Sequence, residues 1–117
     1  MIIVFIFLLL FAWTSATHAQ IPFYQGKTIN AVVGLSAGGS GDLFTRLLAR
    51  YMGKRIPGDP SFIVQNMPGA GSLIAANYVY SVAKPDGLTI LSIPPSLYIN
   101  QLIGRKEVQY DWSKFTW

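Results

Sequence analysis

Val32-Val33-Gly34-Leu35-Ser36-Ala37-Gly38-Gly39-Ser40-Gly41-Asp42 is the stretch whose reading decides the fold. A β-branched run enters a turn with four glycines among the eight residues 34–41 and leaves as an amphipathic segment. The order strand, glycine-rich turn, helix aims backbone N–H groups, at the positive end of a helix dipole, at whatever lies in front of them. Glycine allows positive φ and lets a ligand reach the main chain without meeting a Cβ. A second glycine turn, Asn66-Met67-Pro68-Gly69-Ala70-Gly71 followed by Ser72, repeats the arrangement.

Working outward, residues 28–35 read as a first strand with Ile29, Val32 and Val33 at its centre. It is a buried run rather than an alternating one, as a parallel sheet covered on both faces requires. The spacing predicts a helix over 42–55, with apolar pairs Leu43/Phe44, Leu47/Leu48 and Tyr51/Met52 forming one core-facing stripe. Asp42 at its start and Lys54/Arg55 at its end suit the helix dipole, and Pro57-Gly58 stops it. Arg46, Arg50 and Lys54 form an i, i+4, i+8 row read as a solvated face. Residues 61–65 follow as a second strand. An alanine-rich helix over 72–83 has Leu73, Ile74, Tyr78 and Val82 as its packing residues. Pro85-Asp86-Gly87 is a turn, residues 88–93 are a third strand, and a short helix over 97–103 ends at Gly104. The aromatic tail, residues 110–117, is not placed by this reading.

A β-α-β-α-β-α order with short connections predicts an α/β fold with a three-layer parallel sheet. Ligands of such sheets bind beyond the carboxyl ends of the strands. Three loops should meet there, at residues 36–41, 68–72 and 94–96.

The chain has 117 residues, enough for one domain. It has no cysteine, hence no disulfide and no thiolate site. Residues 2–13 are an unbroken apolar run followed by small and polar residues ending Thr17-His18-Ala19. The run suits a signal peptide, residues 1–19, and falls short of the ~20 residues a transmembrane helix needs. Cleavage would leave residues 20–117, bound for outside the cytoplasm. No Lys or Arg precedes the run, so a retained membrane anchor is the alternative. His18, the single histidine, would leave with the signal, and with it the commonest general base and metal ligand. The net charge of +4 comes from scattered residues with no interleaved aromatics, and no nucleic-acid partner is expected. No metal and no cofactor are expected either.

Gly34-Leu35-Ser36-Ala37-Gly38 matches the G-x-S-x-G nucleophile elbow, which would make the chain an exported serine esterase with Ser36 as nucleophile. The elbow comes too early, and no histidine remains to activate it. Gly69-Ala70-Gly71 begins like a dinucleotide fingerprint, but Ile74 stands where a small residue is needed. For any single glycine, a tight βα turn is the simpler account. Two such turns on adjacent strands point instead to a shared crevice that holds a small carboxylate.

Phe23-Tyr24-Gln25-Gly26-Lys27-Thr28-Ile29, Ser36-Ala37-Gly38-Gly39 with Asp42, and Val64-Gln65-Asn66-Met67-Pro68-Gly69-Ala70-Gly71 occur in that order. Pro85-Asp86-Gly87 with Thr89 follows, then Tyr110-Asp111 with Lys114-Phe115. In these motifs the chain resembles the extracytoplasmic solute receptors of tripartite tricarboxylate transporters, the Bug-type, TctC-like receptors. The resemblance implies a two-lobed periplasmic binding protein of type II fold that is a monomer rather than an enzyme. It implies capture of a small carboxylate and its delivery to the two membrane subunits of the transporter. Carried over, the carboxylate contacts fall to Ser36, Ala37, Gly38, Gly39 and Ser40 and to Gly69, Ala70 and Gly71, with Ser96 a lesser contact. Asp42 orders the first loop rather than touching ligand. Gly34 stands where many members have proline, and Ser40-Gly41 departs from their usual pair. Both departures are expected to loosen the first loop. Members are much longer, so residues 20–117 correspond to part of the first lobe and should bind a carboxylate poorly alone, the further alternative being an inactive fragment.

Overall fold

A computed structural model of the chain describes residues 21–116. The proposed signal peptide lies outside them. The described residues contain β1 (Thr28–Val33), α1 (Ser40–Met52), β2 (Ser61–Asn66), α2 (Leu73–Ser81), β3 (Thr89–Ser92) and α3 (Ser96–Leu102). Short 3-10 turns at Gly53–Arg55, Ala70–Ser72 and Trp112–Lys114 complete the order.

The three strands form one parallel sheet in the order β2-β1-β3. Val33 stands opposite Asn66 on one side and Ser92 on the other, so all three strands end level. The central strand is the most apolar one, with Ile29, Ala31, Val32 and Val33 all buried. That is the burial expected of a strand covered on both faces.

Adjacent strand residues point to opposite faces, and the packing partners divide the same way. Ser92 faces α1, whose Thr45 hydroxyl lies 2.8 Å from it. Leu91 and Ile93 face the other layer, where they pack on a core of Leu73, Ala76, Leu97 and Tyr110. Helices therefore lie on both sides of the sheet, as the strand–helix order predicts.

The tail left unplaced by the sequence completes this second layer. Tyr110 is buried and its hydroxyl donates to the Leu97 carbonyl at 2.8 Å. Trp112 and Phe115 pack at the rim of the same core, with Tyr80 and Phe115 ring centroids 5.8 Å apart.

Two packing expectations are corrected. The stripe of α1 does not face the core: Leu43, Phe44, Leu47, Leu48, Tyr51 and Met52 are all exposed, and the buried residues of the helix are Asp42 and Thr45. The helix turns its polar side to the strand ends, where Asp42 bonds Asn66 and Thr45 bonds Ser92. In α2, Leu73 is buried as expected, but Ile74 and Val82 are exposed, and Ala75 and Ala76 take their place. Small side chains let a short helix lie close on the sheet.

Candidate functional site at the carboxyl ends of the strands

The ends of β1, β2 and β3 are tied together by named bonds. The Met67 amide donates to the Val33 carbonyl at 2.8 Å, and the Gly34 amide to the Ser92 carbonyl at 3.0 Å. The Ser72 hydroxyl, buried, donates to the Gly34 carbonyl at 2.8 Å. Gly34 is thus the point where the two glycine turns touch. A Cβ built there would lie 2.5 Å from the Ser72 Cβ and 3.1 Å from Ile93 Cγ2. The expectation that Gly34 loosens the first loop is corrected: a glycine fits there because the Ser72 and Ile93 side chains occupy the space a Cβ would take.

The first loop is held from behind by a polar network. Asp42, 2% exposed, accepts from the Gly38 amide at 2.8 Å, from Arg46 Nε at 3.0 and 3.1 Å and from Asn66 Nδ2 at 2.9 Å. Asn66 also donates to the Leu35 carbonyl at 3.0 Å and accepts from Arg46 Nη2 at 2.8 Å. The Arg46 hydrogen bond, then the Gly38 amide, then Asn66 hold the Asp42 carboxyl down to about 2 from the usual 3.8. An acidic side chain in the first turn reaching back to an amide before the helix also suits the dipole. Asp42 therefore orders the loop, as the sequence suggests. Arg46, exposed as expected of the solvated row, also bridges Asp42 and Asn66. Neither Arg46 nor Asn66 was singled out as a functional position, because their partners lie 4 to 31 positions away and only the sheet brings them together.

The expected contact residues fall into two groups. Ser36, Ala37, Gly38, Gly39 and Ser40 are all exposed on the loop after β1 or at the start of α1. The Gly38 amide is engaged by Asp42 and the Gly39 amide by the Ser36 carbonyl at 3.3 Å. The amides of Ser36, Ala37 and Ser40 have no protein partner among the described residues. Ser40 and Gly41 open α1 rather than extending the loop, which corrects the expectation that this pair adds freedom. The Thr45 hydroxyl lies 2.8 Å from the Gly41 carbonyl and fastens that turn.

In the second turn, Gly69, Ala70, Gly71 and Ser72 all have positive φ: 137°, 46°, 64° and 76°. Four left-handed residues in succession, two of them not glycine, are costly, and such strain persists only where surrounding structure imposes it. The Ser72 amide bonds the Gly69 carbonyl at 2.9 Å. The amides of Gly69, Ala70 and Gly71 have no protein partner among the described residues. Ser96 is exposed at the first position of α3.

What the two turns present to solvent is a set of uncommitted main-chain donors, which suits an anionic acceptor. Among the described residues no group of three or more His, Cys, Asp or Glu could hold a metal. The Ser36 hydroxyl has no hydrogen-bond partner among them either. Two grooves among the described residues, about 450 and 480 Å³, lie along β3 and are lined by neither glycine turn.

The architecture is a small α/β domain with a three-strand parallel sheet, compatible with part of a periplasmic-binding-like fold. No family model matches the chain. It is similar to a UPF0065 protein of Bordetella bronchiseptica, 36% identical over 100 residues, which are 86% of this chain and 29% of the relative. It is also similar to a UPF0065 protein encoded in the gbd 5' region of Cupriavidus necator. That match is 40% identical over 81 residues, 69% of this chain and 24% of the relative. The chain thus spans 24–29% of the length of the relatives it matches. These homologues are named as proteins of the UPF0065, or Bug, family. No helix among the described residues is long and apolar enough to cross a membrane.

Proposed function

We propose that the chain supplies the anion-capturing loops of a periplasmic solute-binding receptor for a small carboxylate. The receptor, exported by residues 1–19, hands its ligand to the membrane subunits of a tripartite tricarboxylate-type transporter. One observation carries the reading. Two glycine turns, joined at Gly34 and Ser72, leave the amides of Ser36, Ala37, Ser40, Gly69, Ala70 and Gly71 uncommitted at one end of the sheet. The similarity to Bug-family proteins supports a solute-binding role.

The physical case is one of main-chain donors. A hydrogen bond to a charged acceptor contributes about 1.5–3 kcal/mol. Three such bonds, about 5–9 kcal/mol together, are of the same size as the roughly 4–15 kcal/mol lost on immobilising a ligand and leave little surplus. The loops alone therefore orient a carboxylate and hold it weakly. Tight capture requires further contacts to the rest of the ligand.

Two measurements test this on residues 20–117. Isothermal titration with citrate, glutamate and nicotinate is expected to show no micromolar binding. Titration of the amide NMR spectrum with citrate to millimolar concentration is expected to shift the amides of residues 36–40 and 69–71. An unmoved spectrum, or shifts confined to other residues, would overturn the assignment of the site.

A further inference from the structure

The loop after β1 presents its amides because its carbonyls are taken. A peptide unit is planar and trans, so its C=O and its N–H point in opposite directions. Holding one fixes the aim of the other. The carbonyls of Gly34, Leu35 and Ser36 each accept a bond, from the Ser72 hydroxyl at 2.8 Å, from Asn66 Nδ2 at 3.0 Å and from the Gly39 amide at 3.3 Å. The amides of Leu35, Ser36 and Ala37, the other halves of those peptide units, have no protein partner among the described residues.

Asn66 reaches this loop from the neighbouring strand. It is half-buried at the end of β2, opposite Val33, and the second glycine turn follows directly. Its side chain makes bonds whose polarities leave one arrangement. Arg46 is a donor only, and its Nη2 donates to Asn66 Oδ1 at 2.8 Å. The Asn66 nitrogen is thereby turned to two acceptors, the Leu35 carbonyl at 3.0 Å and Asp42 Oδ1 at 2.9 Å. Both of its hydrogens are used. An aspartate of the same shape would set oxygen against oxygen at both places.

We propose that Asn66 is a positioning residue for anion capture: by holding the Leu35 carbonyl it fixes the Leu35–Ser36 peptide unit, so that the Ser36 amide faces the ligand. The inference rests on the carboxylate-capturing reading of the two turns. Asn66 needs no contact with the ligand, since its effect runs through one peptide plane. Arg46 sets which end of the Asn66 side chain faces the loop and so acts one step further back. The same side chain also fixes the spacing of the two turns, because it precedes the second and grips the start of the first.

The first readout needs no ligand. In the full chain, the NMR order parameter of the Ser36 N–H is expected to match rigid backbone, about 0.85, and to fall below about 0.6 in Asn66→Ala. Asn66→Asp keeps the shape and the acceptor for Arg46 but lacks the donor, and should lower it as far. Arg46→Met leaves Asn66 in place but frees its side chain to turn, and should lower it by a smaller amount. In all three variants the amides of residues 69–71 and of the strands should keep their order. A residue that only stabilised the fold would not single out Ser36. The second readout is citrate, titrated to millimolar concentration. In Asn66→Ala the Ser36 shift, extrapolated to saturation, should fall at least about threefold while residues 69–71 still respond. Citrate binding should weaken about tenfold, as for the loss of one hydrogen bond to a charged group. A Ser36 amide already mobile in the unaltered chain overturns the proposal, as does one whose order survives in the variants that fold. If Ser36 loses its order as expected but citrate moves no amide of either turn in the unaltered chain, the carboxylate reading fails, and the part of Asn66 in capture fails with it.

Discussion

Asp42 shows how much one carboxylate organises when it is buried with partners from three directions. It touches the first loop through Gly38, its own helix through Arg46 and the end of β2 through Asn66. Its folded pKa of about 2 lies below the usual 3.8. The folded state therefore binds the proton less readily than the unfolded chain does. Its stabilisation is fully present above pH about 4 and is lost as pH falls through about 2. Urea unfolding of residues 20–117 across that range should show a falling midpoint, and Asp42→Asn should flatten that acid limb. An unchanged limb would mean that other carboxylates set it. Two glycines make a second test at this scale. Gly71→Ala meets no atom within 4 Å, yet φ of 64° should make it destabilising by about 1–2 kcal/mol. Gly34→Ala has no such φ but meets the Ser72 side chain. Overpacking of this kind typically costs about 1–3 kcal/mol. If the two losses are measured by urea unfolding, Ser72→Gly should recover much of the second and none of the first.

At the scale of the element, α1 separates two meanings of amphipathic. Its apolar rows have the 3.6-residue spacing of a helix packed on a core, but here the polar edge is packed and the apolar rows face outward. Leu47→Gln should therefore change stability by no more than about 0.5 kcal/mol, as for an ordinary surface position. A core leucine truncated to a smaller or polar residue would lose about 2–5 kcal/mol. A loss in the larger range, read from urea midpoints, would return the stripe to the core. Helix α2 carries the opposite lesson. Alanines at 75 and 76, unremarkable as sequence, are fully buried because a nine-residue helix must lie close to bury anything.

For the whole molecule, the second layer depends on residues late in the chain. Tyr110, Trp112 and Phe115 close over Leu73, Ala76 and Leu97. Tyr110→Phe keeps the ring and loses only the bond to the Leu97 carbonyl, and should cost about 1 kcal/mol. Deleting residues 110–117 removes three aromatic rings from one core and should abolish cooperative thermal unfolding. A sharp transition in the shortened chain would show that the sheet and α1 suffice.

The strand–helix order, the parallel sheet and the positions of all three strands were legible in the sequence, because apolar runs and glycine or proline punctuation are local signals. So was the role of Asp42, one turn from the loop it orders. Tertiary structure alone decided which face of α1 is buried. That depends on where Asn66 and Ser92 stand when β2 and β3 flank β1, and periodicity carries no information about which partner a stripe will meet. It also decided that Gly34 serves close approach rather than freedom, since Ser72 lies 38 positions further along the chain. The left-handed run through Ala70 and Ser72 was equally hidden, for neither residue prefers that conformation and only the surrounding packing holds them in it.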